Sequence, residues 1–336
     1  MNQKLKRVIL NNESVLFAIL ILLILFISVY NPRFFSAENA FDILRSSSFI
    51  GICSIGFLIV LISGGIDISF TATATVAEYF MALILTRNQG MPIILVLLIP
   101  MVIGIILGSF NAILINKLKV PAIIITIAML NTYYGGIQFI SNGRWIYDFP
   151  EWFYTLPKIL VIKFVNNDGV PYGLSVFTVL WILVALLGSF ILNKTTLGRK
   201  IFAVGGSLES SRRAGINVNN IRIFVYGFLG FVAGLGAIVH ALITQTIAPN
   251  SLIGQEFDVL SAVVIGGANI FGGEGTITGT ILGVLLIAVL RNGLTIMKVP
   301  PYWHMVIIGF VILLSIAATA TRSKISRMQE AGIDVE

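Results

Sequence analysis

The chain has 336 residues, 57% of them hydrophobic and only 11% charged, with a mean hydropathy of +0.97. A soluble domain carries roughly a quarter charged residues, so this composition excludes a water-wrapped globule and requires lipid around much of the surface. The net charge of +7 does not point to nucleic acid, because the basic excess sits in short loops and tails, as the positive-inside bias of membrane proteins requires. The single Cys53 excludes a disulfide framework and a Cys-based metal site.

A helix that crosses a bilayer needs about 20 apolar residues. On that measure the sequence predicts spans near 15–30, 46–63, 70–86, 91–116, 121–140, 174–192, 221–243, 257–270, 276–296 and 302–320. The first follows Lys4, Lys6 and Arg7 much as a secretory signal would. No small-x-small cleavage pattern follows it and further spans come later, so it reads as a retained helix. The eighth is short and Gly-rich, which suits a half-helix or re-entrant segment. Ten crossings put both termini on one side. With that side cytoplasmic, 14 basic residues lie inside, among them Lys117, Lys119, Arg322, Lys324 and Arg327. The eight outside are diluted by Glu38, Asp42, Asp148, Glu151, Asp168, Glu256 and Asp258. The expected architecture is an all-α polytopic membrane protein of about ten helices. It has a cytoplasmic tail at 1–14, a transmembrane domain at 15–320 and a second cytoplasmic tail at 321–336.

Along the chain, the first unusual site is Leu61–Ser69, LISGGIDIS. Its Asp67 follows a Gly pair and precedes an apolar run. An ionisable residue beside a span is a functional candidate by default; a carboxylate there also caps the next helix by accepting free backbone N–H groups. Glu78 lies within a span and requires a polar partner or an aqueous cavity. Gly104 and Gly108, then Gly227, Gly230 and Gly234, then Gly279 and Gly283 recur at three- or four-residue spacing, which lets helix backbones approach closely. In the fifth span, Asn131, Thr132, Tyr133, Tyr134 and Gln138 form a polar cluster that suits a neutral-polyol pathway or hydrogen-bonded glue between helices.

The outer connection 141–173 carries Trp145, Tyr147, Phe149, Trp152, Phe153, Tyr154 and Tyr172 with Pro150, Pro157 and Pro171. It reads as an interfacial belt and lid, or as a landing surface for an external partner. The interruption at 193–222 carries Lys194, Arg199, Lys200, Arg212, Arg213 and Arg222 against the single acid Glu209, which marks a cytoplasmic loop. Within it Ser207 caps a predicted helix Leu208–Ala214, and Gly215 closes it in the left-handed conformation. A small amphipathic helix on that face is a docking surface. Gly205 and Gly206 are read as turn formers whose geometry a bulkier residue destroys. Val263–Thr280, VVIGGANIFGGEGTITGT, echoes the first site, with Asn269 where the first has Asp67. Gly-interrupted segments in two halves point to a transport pathway.

The chain has no G-x-x-x-x-G-K-[ST], hence no phosphate-cradling loop of its own. Gly234-x-Gly236 and Gly273-x-Gly275 lack the third Gly of a dinucleotide fingerprint. His240 and His304 are isolated in sequence and read as packed or interfacial. Asp67 and Glu78 are the main intramembrane charges. A proton- or sodium-driven carrier usually needs more, which favours an external energy source.

Five ordered segments then resemble one family: 31–56 (NPRFFSAENAFDILRSSSFIGICSIG), 61–69, 119–130 (KVPAIIITIAML), 195–218 (TTLGRKIFAVGGSLESSRRAGINV) and 257–283 (FDVLSAVVIGGANIFGGEGTITGTILG). The family is the permease subunits of binding-protein-dependent ABC importers of the ribose/branched-chain amino-acid type, in particular its sugar branch. The chain departs from it at Phe70, Thr71 and Ala72, where the family commonly has Val-Gly-Ser. The resemblance implies pairing with a second permease copy or a related permease, cytoplasmic ATPase subunits that hold ATP and Mg, and an extracytoplasmic substrate-binding protein. This chain itself binds no cofactor on that reading. The resemblance also makes the 195–218 loop the ATPase-coupling element: Gly198, Arg199, Ala203, Gly205, Gly206, Ala214 and Gly215 match its pattern, with Leu208, Glu209, Arg212 and Arg213 on the docking helix. The pathway candidates are Asp67, Glu78, Asn131, Tyr134, Gln138 and Asn269. The expected function is inward movement of a small sugar. A nucleoside or branched-chain amino acid as substrate, and a self-contained carrier, stay open as alternatives.

Overall fold

The structure, a computed structural model, describes residues 12–311 and 313. The basic residues Lys4, Lys6, Arg7, Arg322, Lys324 and Arg327, the tail 321–336 and the end of the tenth expected span lie outside them.

Helix α1 (Asn12–Tyr30) is apolar on all sides and buries little besides Leu20 and Ile27. Helix α2 (Ala37–Ser46) starts at Ser36, whose hydroxyl accepts the Asn39 N–H, and meets α3 (Ser48–Ile62) at a bend of 50°. Next come α4 (Phe70–Arg87), α5 (Ile93–Leu118) and α6 (Ala122–Ser141). In the connection 141–173 a short α7 (Glu151–Thr155) precedes β1 (Leu160–Val165) and β2 (Pro171–Ser175). Helix α8 (Val176–Lys194) leads to α9 (Thr196–Gly206) and α10 (Leu208–Arg213), then to α11 (Val218–Thr244). The order closes with α12 (Gln255–Ile265), α13 (Ile277–Ile296) and α14 (Pro301–Val311).

The centre is α3. Every residue of it but Ile50 is buried, under α8, α9, α11, α12 and α13. A helix that is apolar all round belongs inside a bundle. The closest pair is α5 and α11, and the predicted glycine faces explain it. A Cβ on Gly104 would stand 2.0 Å from the Gly230 carbonyl oxygen, one on Gly108 2.3 Å from that of Tyr226, and one on Gly234 2.2 Å from that of Pro100. No side chain fits there, so backbone packs on backbone.

Among the described residues six helices are long and apolar enough to cross a membrane: α1, α5, α6, α8, α11 and α13. The bent pair α2 and α3 makes a seventh. Helix α4, with Glu78 inside it, is not among them, and α12 has only 11 residues. The connection 141–173 also departs from an all-α reading, because β1 and β2 form an antiparallel hairpin. Its turn is set by Asn166, whose Oδ1 accepts the N–H groups of Asp168 and Val170. The aromatics of this connection do cluster, with Phe149 stacked on Phe153 at 4.2 Å and Phe164 against Tyr172 at 5.6 Å.

Gly230→Val is expected to push α5 and α11 apart at a cost of about 3 kcal/mol or more, seen as loss of folded protein in membranes and of thermal stability in detergent. Gly136→Ala, whose Cβ meets no atom within 4 Å, leaves both unchanged or slightly improved.

Candidate functional site

The echo between the two Gly-pair segments is structural. Helix α3 ends with Gly64 at φ +80°, the Gly65 N–H on the Val60 carbonyl and the Gly64 N–H on that of Leu61. Helix α12 ends with Gly267 at φ +89°, the Ala268 N–H on the Val263 carbonyl and the Gly267 N–H on that of Val264. Both are the same left-handed closure. Beyond each closure an acid or amide side chain caps the turn. Asp67 Oδ1 accepts the Ser69 N–H at 2.8 Å, and Asn269 Oδ1 accepts that of Phe271 at 3.0 Å.

The two breaks touch. The Gly273 N–H donates to the Ile62 carbonyl at 2.9 Å, and the C-terminal end of α9 is pressed against both. A Cβ on Gly205 would lie 1.7 Å from the Ile62 carbonyl oxygen and 2.6 Å from the Gly273 nitrogen. Gly205 and Gly206 are therefore not turn formers. Both lie in α9 with negative φ, and Gly205 is needed for close approach, whereas a Cβ on Gly206 meets nothing within 4 Å. At the other end of α9, the Thr195 hydroxyl accepts the Gly198 N–H at 3.0 Å. Gly198 turns so tightly onto α8 that its Cβ would stand 2.2 Å from the Leu192 carbonyl oxygen.

Helix α10 follows directly. The Ser207 hydroxyl accepts the Ser210 N–H at 3.2 Å, Ala214 caps the other end and Gly215 has φ +77°. Ser211 is buried, while Arg199, Leu208, Glu209, Arg212 and Arg213 face outward, with Arg213 paired to Glu209 at 2.5 Å. Phe271, which the sequence reading passed over, stands out from the second break and is 86% exposed. A cavity of about 290 Å³ opens beside the first break, bordered by Gly64, Gly65, Pro121, Arg222 and Tyr226.

The six pathway candidates do not form one cluster. Asp67 is 2% exposed and also accepts the Ser69 hydroxyl, which in turn accepts Asn111 Nδ2 at 2.8 Å; the Tyr133 hydroxyl donates to Asn111 Oδ1. Asn269 sits at the second break. Glu78 is fully buried, and its partners are His240 Nδ1 at 2.9 Å and the Ser251 hydroxyl at 2.6 Å. His240 is thus not isolated. Asn131 and Gln138 are exposed on α6, where Asn131 Nδ2 bonds back to the Ile127 carbonyl. Tyr134 lies between that face and the interior. Glu256 and Asp258, taken from sequence as outer-loop acids, are instead buried in the first turn of α12. Glu256 accepts the Thr71 hydroxyl at 3.0 Å, and Asp258 pairs with Arg291 of α13 at 2.5 Å. A hydropathy ruler assigns acids to loops, so it missed them.

Comparison with known proteins fits this geometry. Residues 39–316 match the family described as branched-chain amino acid transport system / permease component. The chain belongs to that family. Among relatives of this permease, the ribose import permease protein RbsC of Haemophilus influenzae is 31% identical over 90% of this chain and 91% of its own length. RbsC of Escherichia coli K12 is 31% identical over 88% and 90%, and the autoinducer 2 import system permease protein LsrC of Photorhabdus luminescens is 30% identical over 91% and 89%. No solved structure matches.

For the permease, Gly205→Ala is expected to wedge α9 away from both breaks and lower transport far more than Gly206→Ala does, measured as uptake in vesicles at matched protein levels. Asp67→Ala leaves the buried Ser69 N–H without its acceptor at a cost of about 1–3 kcal/mol, so thermal stability and uptake fall together, while Asp67→Asn retains most of both. Loss of uptake at unchanged stability would put Asp67 on the pathway instead.

Proposed function

We infer that this permease is the membrane-spanning subunit of a binding-protein-dependent ABC importer that carries a small neutral sugar, pentose or hexose in type, inward across the cytoplasmic membrane of a bacterium. The observation that carries this reading is the contact of one exposed loop helix with both helix breaks at once. A motor that moves α9 and α10 would act on both Gly-rich segments together. The relatives named for ribose and autoinducer 2 import support it, as does the absence of a phosphate-cradling loop from the sequence.

On this reading the chain crosses the membrane ten times with both termini cytoplasmic, and residues 193–222 form the coupling loop inside. ATP and Mg bind to the partner ATPase. Its cycle moves α10, and through Gly205 the two breaks, so that the pathway opens alternately outward and inward. A substrate-binding protein docks on the outer connection 141–173, and a second copy or a related permease completes the membrane unit. No bond of the substrate is broken.

The test is uptake of labelled D-ribose into vesicles that contain the permease, its binding protein and the partner ATPase, compared with vesicles whose ATPase has lost its phosphate-loop lysine. Uptake is expected to fall to background in the second set. Uptake that persists there on an ion gradient alone would mean a self-contained carrier.

A further inference from the structure

Helix α13 has 20 residues, about 30 Å of length, which matches the hydrocarbon layer of a bilayer. Thr276 caps its start, and the Thr276 hydroxyl donates to Glu13 in the first turn of α1, a helix of 19 residues. Two full spans therefore begin at one level. The loop 267–275 ahead of Thr276 lies at that boundary and packs on the end of α9. A Cβ on Gly273 would stand 3.1 Å from the Gly206 Cα, and one on Gly272 3.1 Å from the Gly205 carbonyl oxygen. Helix α10 begins at Leu208, directly after this contact.

Phe271 stands out of the loop at 86% exposure. A single exposed apolar side chain is ordinary on a protein surface, but this one is held rigidly. The Asn269 N–H donates to the Glu274 carbonyl at 3.1 Å and the Gly272 N–H to the Asn269 carbonyl at 3.0 Å, while Asn269 Oδ1 accepts the N–H of Phe271 itself. Gly272 and Gly273 follow at φ +92° and +80°, and the Gly273 N–H ties the loop to Ile62. The backbone is thus fixed on both sides of the ring. The exposed side chains nearby are mostly polar or charged: Glu274 and Thr276 on the loop, then Glu209, Arg212 and Arg213 on α10, with Leu208 37% exposed among them. An apolar centre within a polar rim is the make-up of a protein-binding patch. A fluid lipid surface rewards no fixed orientation, whereas a protein pocket rewards an aromatic anchor whose ordering cost is already met.

We propose that Phe271 is a second anchor for the partner ATPase, seated in an apolar pocket of that subunit while α10 lies alongside. The proposal rests on the importer reading and adds a contact on the second break. Helix α10 acts on the breaks through α9 and Gly205. Phe271 belongs to the second break itself, two residues from the Gly273 N–H that bonds the Ile62 carbonyl. Movement of the ATPase then reaches the junction of α12 and α13 directly, and not through α9 alone. Arg212, exposed and without an ion pair among the described residues, calls for an acidic side chain on the rim of the ATPase pocket.

The experiment uses the full-length permease in lipid nanodiscs and its purified partner ATPase. Cys53 is the only native cysteine and is buried, so Phe271→Cys and Leu208→Cys each add one reactive thiol. Both are expected to react with a charged, water-soluble methanethiosulfonate, and saturating ATPase is expected to block both reactions. In parallel, Phe271→Ala is expected to weaken ATPase binding about tenfold with the melting temperature of the permease retained, and Phe271→Tyr to keep most of the affinity. Reaction of the Phe271→Cys thiol only with an uncharged, membrane-permeant maleimide would make Phe271 a lipid anchor and overturn the proposal. Free reaction of that thiol under ATPase that blocks Leu208→Cys overturns it too, as does an affinity that Phe271→Ala leaves unchanged or lowers only with the melting temperature. If bound ATPase blocks neither thiol, the coupling role of α10 falls together with the proposal.

Discussion

The bond from the Gly273 N–H to the Ile62 carbonyl is the constraint around which the bundle is arranged. Lipid offers no partner to a free backbone group, so a helix that stops within a membrane protein must have its last carbonyls met by protein. Helices α3 and α12 stop in the same way, close most of their ends locally, and then meet each other. That meeting leaves no room for a side chain at Gly205, which lies against Ile62 and Gly273, or at Gly272, which lies against Gly64. The glycines are not a source of looseness here. They allow two interrupted helices and a loop helix to share one point.

Helix α4 is the polar counterpart of this contact. Along it lie Asp67 just ahead of the helix, Thr71 bonded to Glu256, and Glu78 bonded to His240 and Ser251. Each buried acid is satisfied differently: by local N–H and hydroxyl groups, by a neighbouring helix, or, for Asp258, by Arg291. A charge left without such partners inside a bundle is strongly destabilising, so these bonds fix which helices stand beside α4. The same polarity makes α4 less apolar than the six long spans, although the sequence measure does place a span at 70–86.

What could be read from the sequence was what local chemistry decides. The Ser207 cap and Gly215 closure, the glycine faces of α5 and α11, and the likeness of the two Gly-pair segments each depend on a few adjacent or helically spaced residues. What could not be read was what distant residues decide. Nothing near Gly205 announces that it touches Ile62 and Gly273, so its role was mistaken for a turn. Glu256 and Asp258 looked like loop acids because their partners, Thr71 and Arg291, are remote in the chain. The hairpin was signalled by Asn166 through Gly169 ahead of Pro171–Ser175, but the surrounding aromatics drew attention to the interface instead. The family match confirms the kind of protein and leaves its inner wiring to be read from contacts of this sort.

The first helix packs against nearly the last. Ile27 fills the space at Gly293 of α13, and the Thr276 hydroxyl donates to Glu13, 263 positions earlier. At ribosomal rates of about 5–20 residues per second, α1 is made roughly 13–50 s before its partner. During that interval its neighbours in the chain are the Pro32–Phe34 turn and α2, and the rest of its largely apolar surface suits lipid. Closure of the bundle against α1 is therefore one of the final events of biogenesis, and a chain cut short before α13 leaves its first helix unclaimed.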